Sequence, residues 1–136
     1  MDLLLIDDNE DEARLTVRAL NRNNPSRTII HMKDSEEALT MLTSPLTENL
    51  PRVILLDLKM PRLNGLELLR ILKSDSRCRL IPVVMLTSSK EQSDIVDSYH
   101  CGVNAYIVKP VDSEEFVHTI SKVGVFWLTL NNCVAL

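Results

Sequence analysis

Five short aliphatic and β-branched runs recur along the chain at a nearly constant interval, and that interval restricts the fold more than any other feature. LLLID (Leu3 to Asp7), RTIIHM (Arg27 to Met32), VILLD (Val53 to Asp57), PVVML (Pro82 to Leu86) and AYIV (Ala105 to Val108) begin 24, 26, 29 and 23 residues apart. Each interval holds one strand and one crossover helix, the repeat of a parallel βα unit. The first, third and fourth runs are almost continuously apolar, as expected of strands covered on both faces.

The stretches between the runs carry helix signals. Asp34-x-x-Glu37, Ser88-x-x-Glu91 and Asp112-x-x-Glu115 have the spacing of a capping box, in which an N-cap side chain and an acid three residues on satisfy unpaired amide donors. The first helix is expected over about Glu10 to Asn21 with Ala13, Val17 and Leu20 inward. The third is expected over about Gly65 to Ser74 with Leu68, Leu69 and Leu72 inward. Asn24-Pro25 and Ser44-Pro45 mark loops. Five right-handed βα units predict an α/β fold, the (βα)5 flavodoxin-like three-layer sandwich with a parallel sheet in the order 2-1-3-4-5. With 136 residues the chain has room for one such domain, residues 1–136, ending in an extended last helix.

Ligands of such sheets bind outside the carboxyl ends of the strands. Read there, the sequence places Asp7 and Asp8 after the first strand, Asp57 after the third, Thr87 after the fourth and Lys109 after the fifth. The first and third strands are neighbours in the expected order, so three carboxylates converge, and they stay ionised together only around a cation. A hard divalent ion, Mg²⁺, suits an all-oxygen set that leaves positions for water and a phosphate oxygen. Two carboxylates then hold the ion while Asp57 presents an oxygen to phosphorus, with Thr87 and Lys109 placed to bind the transferred group.

These strings resemble the receiver domain of two-component response regulators. The resemblance runs from Leu3 to about Ile120 and rests on Asp7-Asp8, LLDLKMPRLNG with Asp57, MLTSS with Thr87 and YIVKP with Lys109-Pro110. It implies that Asp57 accepts a phosphoryl group from a phosphohistidine of a sensor histidine kinase. It further implies Mg²⁺ held by Asp8, Asp57 and the backbone carbonyl of Lys59, with Asp7 acting mainly through water. A cis peptide before Pro110 and a turn at Pro61 and Gly65 are implied as well. Phosphorylation would draw Thr87 inward and let Tyr106 turn into the vacated space, altering the surface of the fourth helix, fifth strand and fifth helix. Lys59 and Ser89, at positions that tune the acyl phosphate, are neither carboxylate nor amide, so slow to moderate self-dephosphorylation is expected.

Sixteen residues follow Ile120, which leaves no room for an effector domain and points to output by protein contact or relay. In the last helix Phe116, Ile120, Val123 and Trp127 form an inward stripe, while Val117, Val125, Phe126, Leu128 and Leu130 widen the apolar surface beyond it. EEFVHTISKVGVFWLTLN resembles the end of small stand-alone regulators encoded with bacterial phytochrome kinases. That implies a red-light-sensing kinase as partner and a homodimer through the fourth and fifth helices, with Phe126 and Trp127 in the interface.

Other chemistries fit less well. Net charge is -4, so no positive field exists for nucleic acid or an acidic membrane surface. The first apolar run is too short for an export signal, which makes the cytoplasm the expected compartment. Cys78, Cys101 and Cys133 read as free thiols, and His31, His100 and His118 do not share a site. An aspartyl-phosphate phosphatase needs an acid where Lys59 stands, Asp7-Asp8-Asn9-Glu10 would repel a flavin phosphate, and a degenerate receiver that only docks would not keep all five site residues. The chain is therefore expected to be no enzyme beyond chemistry on its own aspartate.

Overall fold

The computed structural model describes residues 1–22 and 24–136. Five parallel strands, β1 (Leu3–Ile6), β2 (Ile29–Met32), β3 (Val53–Leu56), β4 (Val83–Thr87) and β5 (Ala105–Val108), form one sheet in the order β2-β1-β3-β4-β5. Between and after them lie α1 (Glu10–Asn21), α2 (Ser35–Thr43), α3 (Gly65–Ser74), α4 (Gln92–His100) and α5 (Ser113–Val125). A 3-10 turn at Cys78–Leu80 precedes β4, and a π-helical turn at Phe126–Leu130 continues α5. This is the expected (βα)5 sandwich.

Alternation along each strand sends side chains to two separate cores. Leu4, Ile6, Ile54, Leu56, Val83 and Met85 pack against Ala38, Leu42, Leu68, Leu69 and Leu72 of α2 and α3. Leu3, Leu5, Val53, Leu55, Val84 and Leu86 meet Ala13, Ala19 and Leu20 of α1 and Phe116, Ile120 and Val123 of α5. Every residue of β1, β3 and β4 is buried, whereas those of the edge strands β2 and β5 are partly exposed.

Caps account for most helix starts. Asn9, Asp34, Asn64 and Asp112 each accept backbone N–H groups from the first turn of their helix. Asn64 and Glu67 complete a reciprocal capping box. The expected Ser88-x-x-Glu91 box does not form. α4 begins after Glu91, without a side-chain cap, because the chain spends residues 88–91 in a loop where Ser89 Oγ donates to Asp94 Oδ2 at 2.5 Å.

Two other expectations shift. β2 starts at Ile29 rather than Arg27, because the Arg27 guanidinium turns to the carbonyl of Leu20 at 2.8 Å and to Thr129 Oγ1 at 3.2 Å. In the last helix the π turn inserts a residue into the period, so Leu128 takes the inward place expected of Trp127. Leu128 is buried, Trp127 is half-buried and Phe126 is 49% exposed. The rings of Phe126 and Trp127 meet edge to face, their centroids 5.0 Å apart.

Candidate functional site

Sheet register assembles the site. Leu3 pairs with Val53 and Ile6 with Leu56, so the next residues, Asp7 and Asp57, leave the sheet side by side; Asp57 N–H donates to Ile6 O at 3.0 Å. At the other junction Thr87 pairs with Val108, so Lys109 follows immediately, its N–H on Thr87 O at 2.7 Å. Carboxylate oxygens of Asp7, Asp8 and Asp57 all lie within 4.8 Å of one another. Asp7 is buried, Asp57 half-buried and Asp8 exposed, which makes a site open on one side.

Lys109 Nζ reaches into this cluster. It lies 3.0 Å from Glu12 Oε2, 3.1 Å from Asp7 Oδ2 and 3.5 Å from Asp57 Oδ2, and its side chain is 6% exposed. The ammonium donates to Asp7 and Asp57 and faces Glu12 as an ion pair. Burial pulls the Lys109 ammonium toward its neutral form, but Asp57, Asp7 and Glu12 outweigh that and hold its pKa above the ordinary lysine value. Burial likewise raises the Asp57 carboxyl above its ordinary value; Lys109 opposes the shift and the Asp7 charge adds to it. One cation facing this many acids leaves an excess of negative charge, so the donor set fits a divalent ion with oxygen ligands.

Around this centre the structure places the other expected residues less directly. Thr87 is fully buried at the end of β4, its Oγ1 accepting the Ser89 N–H at 3.3 Å. Tyr106 stands half-buried on β5 and donates from its hydroxyl to Ser89 O at 3.1 Å; burial raises its phenol pKa. The Lys59 side chain leaves the cluster and lies 3.8 Å from Asp94 Oδ2, the carboxylate that also accepts from Ser89. Its backbone remains in the loop after Asp57. Phe126 and Trp127 sit past α5, on the opposite face of the sheet from α2 and α3.

One expectation about the backbone is corrected. The Lys109–Pro110 peptide is trans, and no cis bond occurs among the described residues. Trans is the lower-energy form even before proline, by about 0.5–1 kcal/mol. In the loop after Asp57 the left-handed residue is Arg62, with φ 63°. Arg62 is held there by ion pairs to Asp34 and to Glu36 of α2. Gly65 meets the backbone demand expected of it by close approach: its N–H donates to Leu58 O at 2.8 Å, directly under the loop that follows Asp57.

The sequence reading missed two carboxylates, Glu12 and Asp94. Asn9-x-x-Glu12 has the same capping-box spacing that marked other helices; Asn9 Oδ1 accepts the Glu12 N–H, while Glu12 Oε1 accepts from the Asn9 side-chain amide because the Asn9 backbone N–H is taken by Asp7. Asp94 had no comparable signal, because its place depends on the path of residues 88–91. His31 donates from Nε2 to Asp7 O at 2.7 Å and so steadies the end of β1.

A doubly wound parallel sheet with clustered aspartates, a buried lysine and a threonine at its carboxyl edge defines a class of phosphoryl-accepting signalling domains. The chain belongs to the response regulator receiver domain family, whose model matches residues 3–121. Among curated relatives, it is 37% identical over 133 residues to the probable methanogenesis regulatory protein FilR2 of Methanothrix harundinacea, covering 95% of this chain and 84% of that one. It is 32% identical over 129 residues to the response regulator Rcp1 of Synechocystis, covering 93% and 88%. Rcp1 has also been solved in a Mn(2+)-bound form, with a TM-score of 0.91 and 29% identity over 98% of both chains. The phosphorylated cyanobacterial phytochrome response regulator RcpA superposes with a TM-score of 0.92 at 31% identity, covering 98% of both chains. The bacteriophytochrome response regulator RtBRR is 46% identical, covering 98% of this chain and 83% of that one, with a TM-score of 0.74.

Proposed function

We propose that the chain is a stand-alone receiver whose Asp57 takes a phosphoryl group from a phosphohistidine of a sensor histidine kinase. The convergence of Asp7, Asp8 and Asp57 beside the buried Lys109 carries this reading. An Asp57 oxygen attacks phosphorus, an O–P bond forms as the N–P bond breaks, and the electron pair returns to the imidazole nitrogen of the donor. Lys109 turns its ammonium from the Asp57 carboxylate to an oxygen of the new phosphoryl group, and the Thr87 hydroxyl donates to another. Asp7, Asp8, Asp57 and the backbone carbonyl of Lys59 are the groups that would hold Mg²⁺. When bound, the ion neutralises the carboxylates and the incoming phosphoryl oxygens. Water later hydrolyses the acyl phosphate, so the chemistry is confined to the chain's own aspartate.

Labelling with a small phosphodonor tests the assignment. Wild type should gain one phosphoryl group in the presence of Mg²⁺ and Asp57→Asn none; label retained by the Asn variant removes Asp57 from the role.

The finer reading concerns partners. Likeness to RcpA and RtBRR supports a kinase of the phytochrome type, acting in the cytoplasm, and output through α4, β5 and α5 by protein contact or relay, without direct nucleic-acid binding. No described helix is long and apolar enough to cross a membrane. Exposed Phe126 and Leu130 beside half-buried Trp127 support a homodimer through the α4/α5 region. Charged substitutions at Phe126 and Trp127 should halve the mass in sedimentation; an unaltered mass refutes that interface.

A further inference from the structure

Glu12 is a carboxylate that neither the acceptor chemistry nor the cation position requires. It stands in the first turn of α1 and is fixed by the N-cap residue: Asn9 Nδ2 donates to its Oε1 at 3.1 Å and its own N–H donates to Asn9 Oδ1 at 3.1 Å. Its other oxygen, Oε2, makes the shortest of the three Lys109 ion pairs, at 3.0 Å. Asp7 closes a ring through the same cap, accepting the Asn9 N–H on Oδ1 at 2.9 Å and Lys109 on Oδ2 at 3.1 Å. Glu12 thus aims one oxygen at Lys109 while the cap holds the other.

Lys109 faces Asp57 at 3.5 Å but stands nearer to Asp7 and Glu12, and the phosphoryl oxygens lie beyond the carboxylate it now faces, so its ammonium must leave one of the two nearer acids to follow them. One partner must therefore yield. Asp7, 1% exposed, cannot lose its cation without being left as an unpaired buried charge. The Glu12 side chain is 41% exposed, so water can take the place of the lysine there. We propose that Glu12 is a positioning residue that competes with the phosphoryl group for Lys109. It holds the ammonium toward α1 in the unmodified chain and releases it on phosphorylation. The inference rests on Asp57 being the acceptor. Its consequence is that Glu12 slows phosphorylation and shortens the life of the acyl phosphate.

The test uses the full chain, Mg²⁺ and acetyl phosphate, with phosphoprotein followed by intact mass. Glu12→Gln removes the charge and keeps an amide oxygen for Asn9; Glu12→Asp keeps the charge and is one methylene too short to reach Lys109. Both should be phosphorylated roughly threefold to fivefold faster than wild type, the scale of an ion pair with one exposed partner. Mg²⁺ affinity by calorimetry should stay within about twofold, since Glu12 is not among the three carboxylates that share a cation position. A Glu12→Asp chain that behaves as wild type reduces the effect to through-space charge and overturns the proposal. So does a Glu12→Gln chain that is no faster, or acceleration explained by tighter Mg²⁺ binding. A wild-type chain that takes no label at all refutes the acceptor assignment instead.

Discussion

A Cβ atom on Gly65 would stand 2.2 Å from the backbone oxygen of Asp57 and 2.8 Å from the Cα of Leu58. Helix α3 therefore begins in contact with the main chain of the acceptor loop, and no side chain fits between them. Gly65→Ala must displace that loop, at a cost of about 1–3 kcal/mol typical of overpacking. Urea denaturation should show that loss, and calorimetry should show weaker Mg²⁺ binding if the Lys59 carbonyl, which moves with the loop, holds the ion as proposed.

Asp57 carries an electrostatic penalty that the ion-free protein must bear. Its folded pKa is raised, by burial first and by Asp7 against the pull of Lys109, so the folded chain keeps this proton to higher pH than the unfolded chain does. Folding stability from this group is present below the ordinary carboxylate pKa and lost as pH rises through the raised value. Asp57→Asn should thus be more stable than wild type in chelator at pH 7, and the difference should shrink as pH falls below about 4. Denaturation curves at the two pH values decide it; an Asn chain less stable at pH 7 would contradict the prediction.

Lys109→Met removes the cation shared by Asp7, Glu12 and Asp57. Breaking a buried pair by deleting one partner costs about 3–5 kcal/mol. The variant should be destabilised on that scale in chelator and regain more stability than wild type on adding Mg²⁺. Melting curves with and without the ion provide the comparison.

Cys78 is buried and its Sγ donates to Leu42 O at 3.3 Å; burial, with Asp75 beside it, raises the thiol from 9.0 to about 11. At pH 8 this leaves it about a hundredfold less thiolate than an ordinary cysteine. A thiol reagent should find Cys101 and Cys133 quickly and Cys78 only on unfolding. The same shift predicts stability that is intact below pH 9 and lost as pH rises toward 11, because the unfolded chain ionises first.

The π turn makes Leu128, rather than Trp127 or Phe126, the inward residue. Leu128→Ala should cost about 2–4 kcal/mol and Phe126→Ala less than about 1 kcal/mol in a dilute, monomeric sample. Equal losses would place the register one residue away from where the structure has it.

What the sequence revealed and concealed divides along physical lines. Buried strands have no alternative to apolar residues, so β1, β3 and β4 were legible, and the strand order followed from handed crossovers. The same logic located Asp7, Asp57, Thr87 and Lys109, because strand ends in register are neighbours in space. Ser88 was misread because a capping pattern is a local offer that the Ser89–Asp94 bond outbids. Leu128 was not expected inward beside Trp127 because a π turn leaves no mark in a period of 3.6. Arg27 was taken for a strand residue since nothing nearby in sequence announces Leu20 and Thr129 as its partners.

Helix α4 differs from its four companions in how it is fastened. Among the described residues it alone lacks a side-chain cap, and Ser98 is its one fully covered residue. Its first turn hangs instead on Asp94, bound to Ser89 and Lys59, two residues that flank the acceptor pocket. Sliding this helix would expose little oil to water and would need only polar handholds to be exchanged. The chain has therefore set its least buried α-helix beside its most crowded charges, where a small chemical event has the shortest lever to pull.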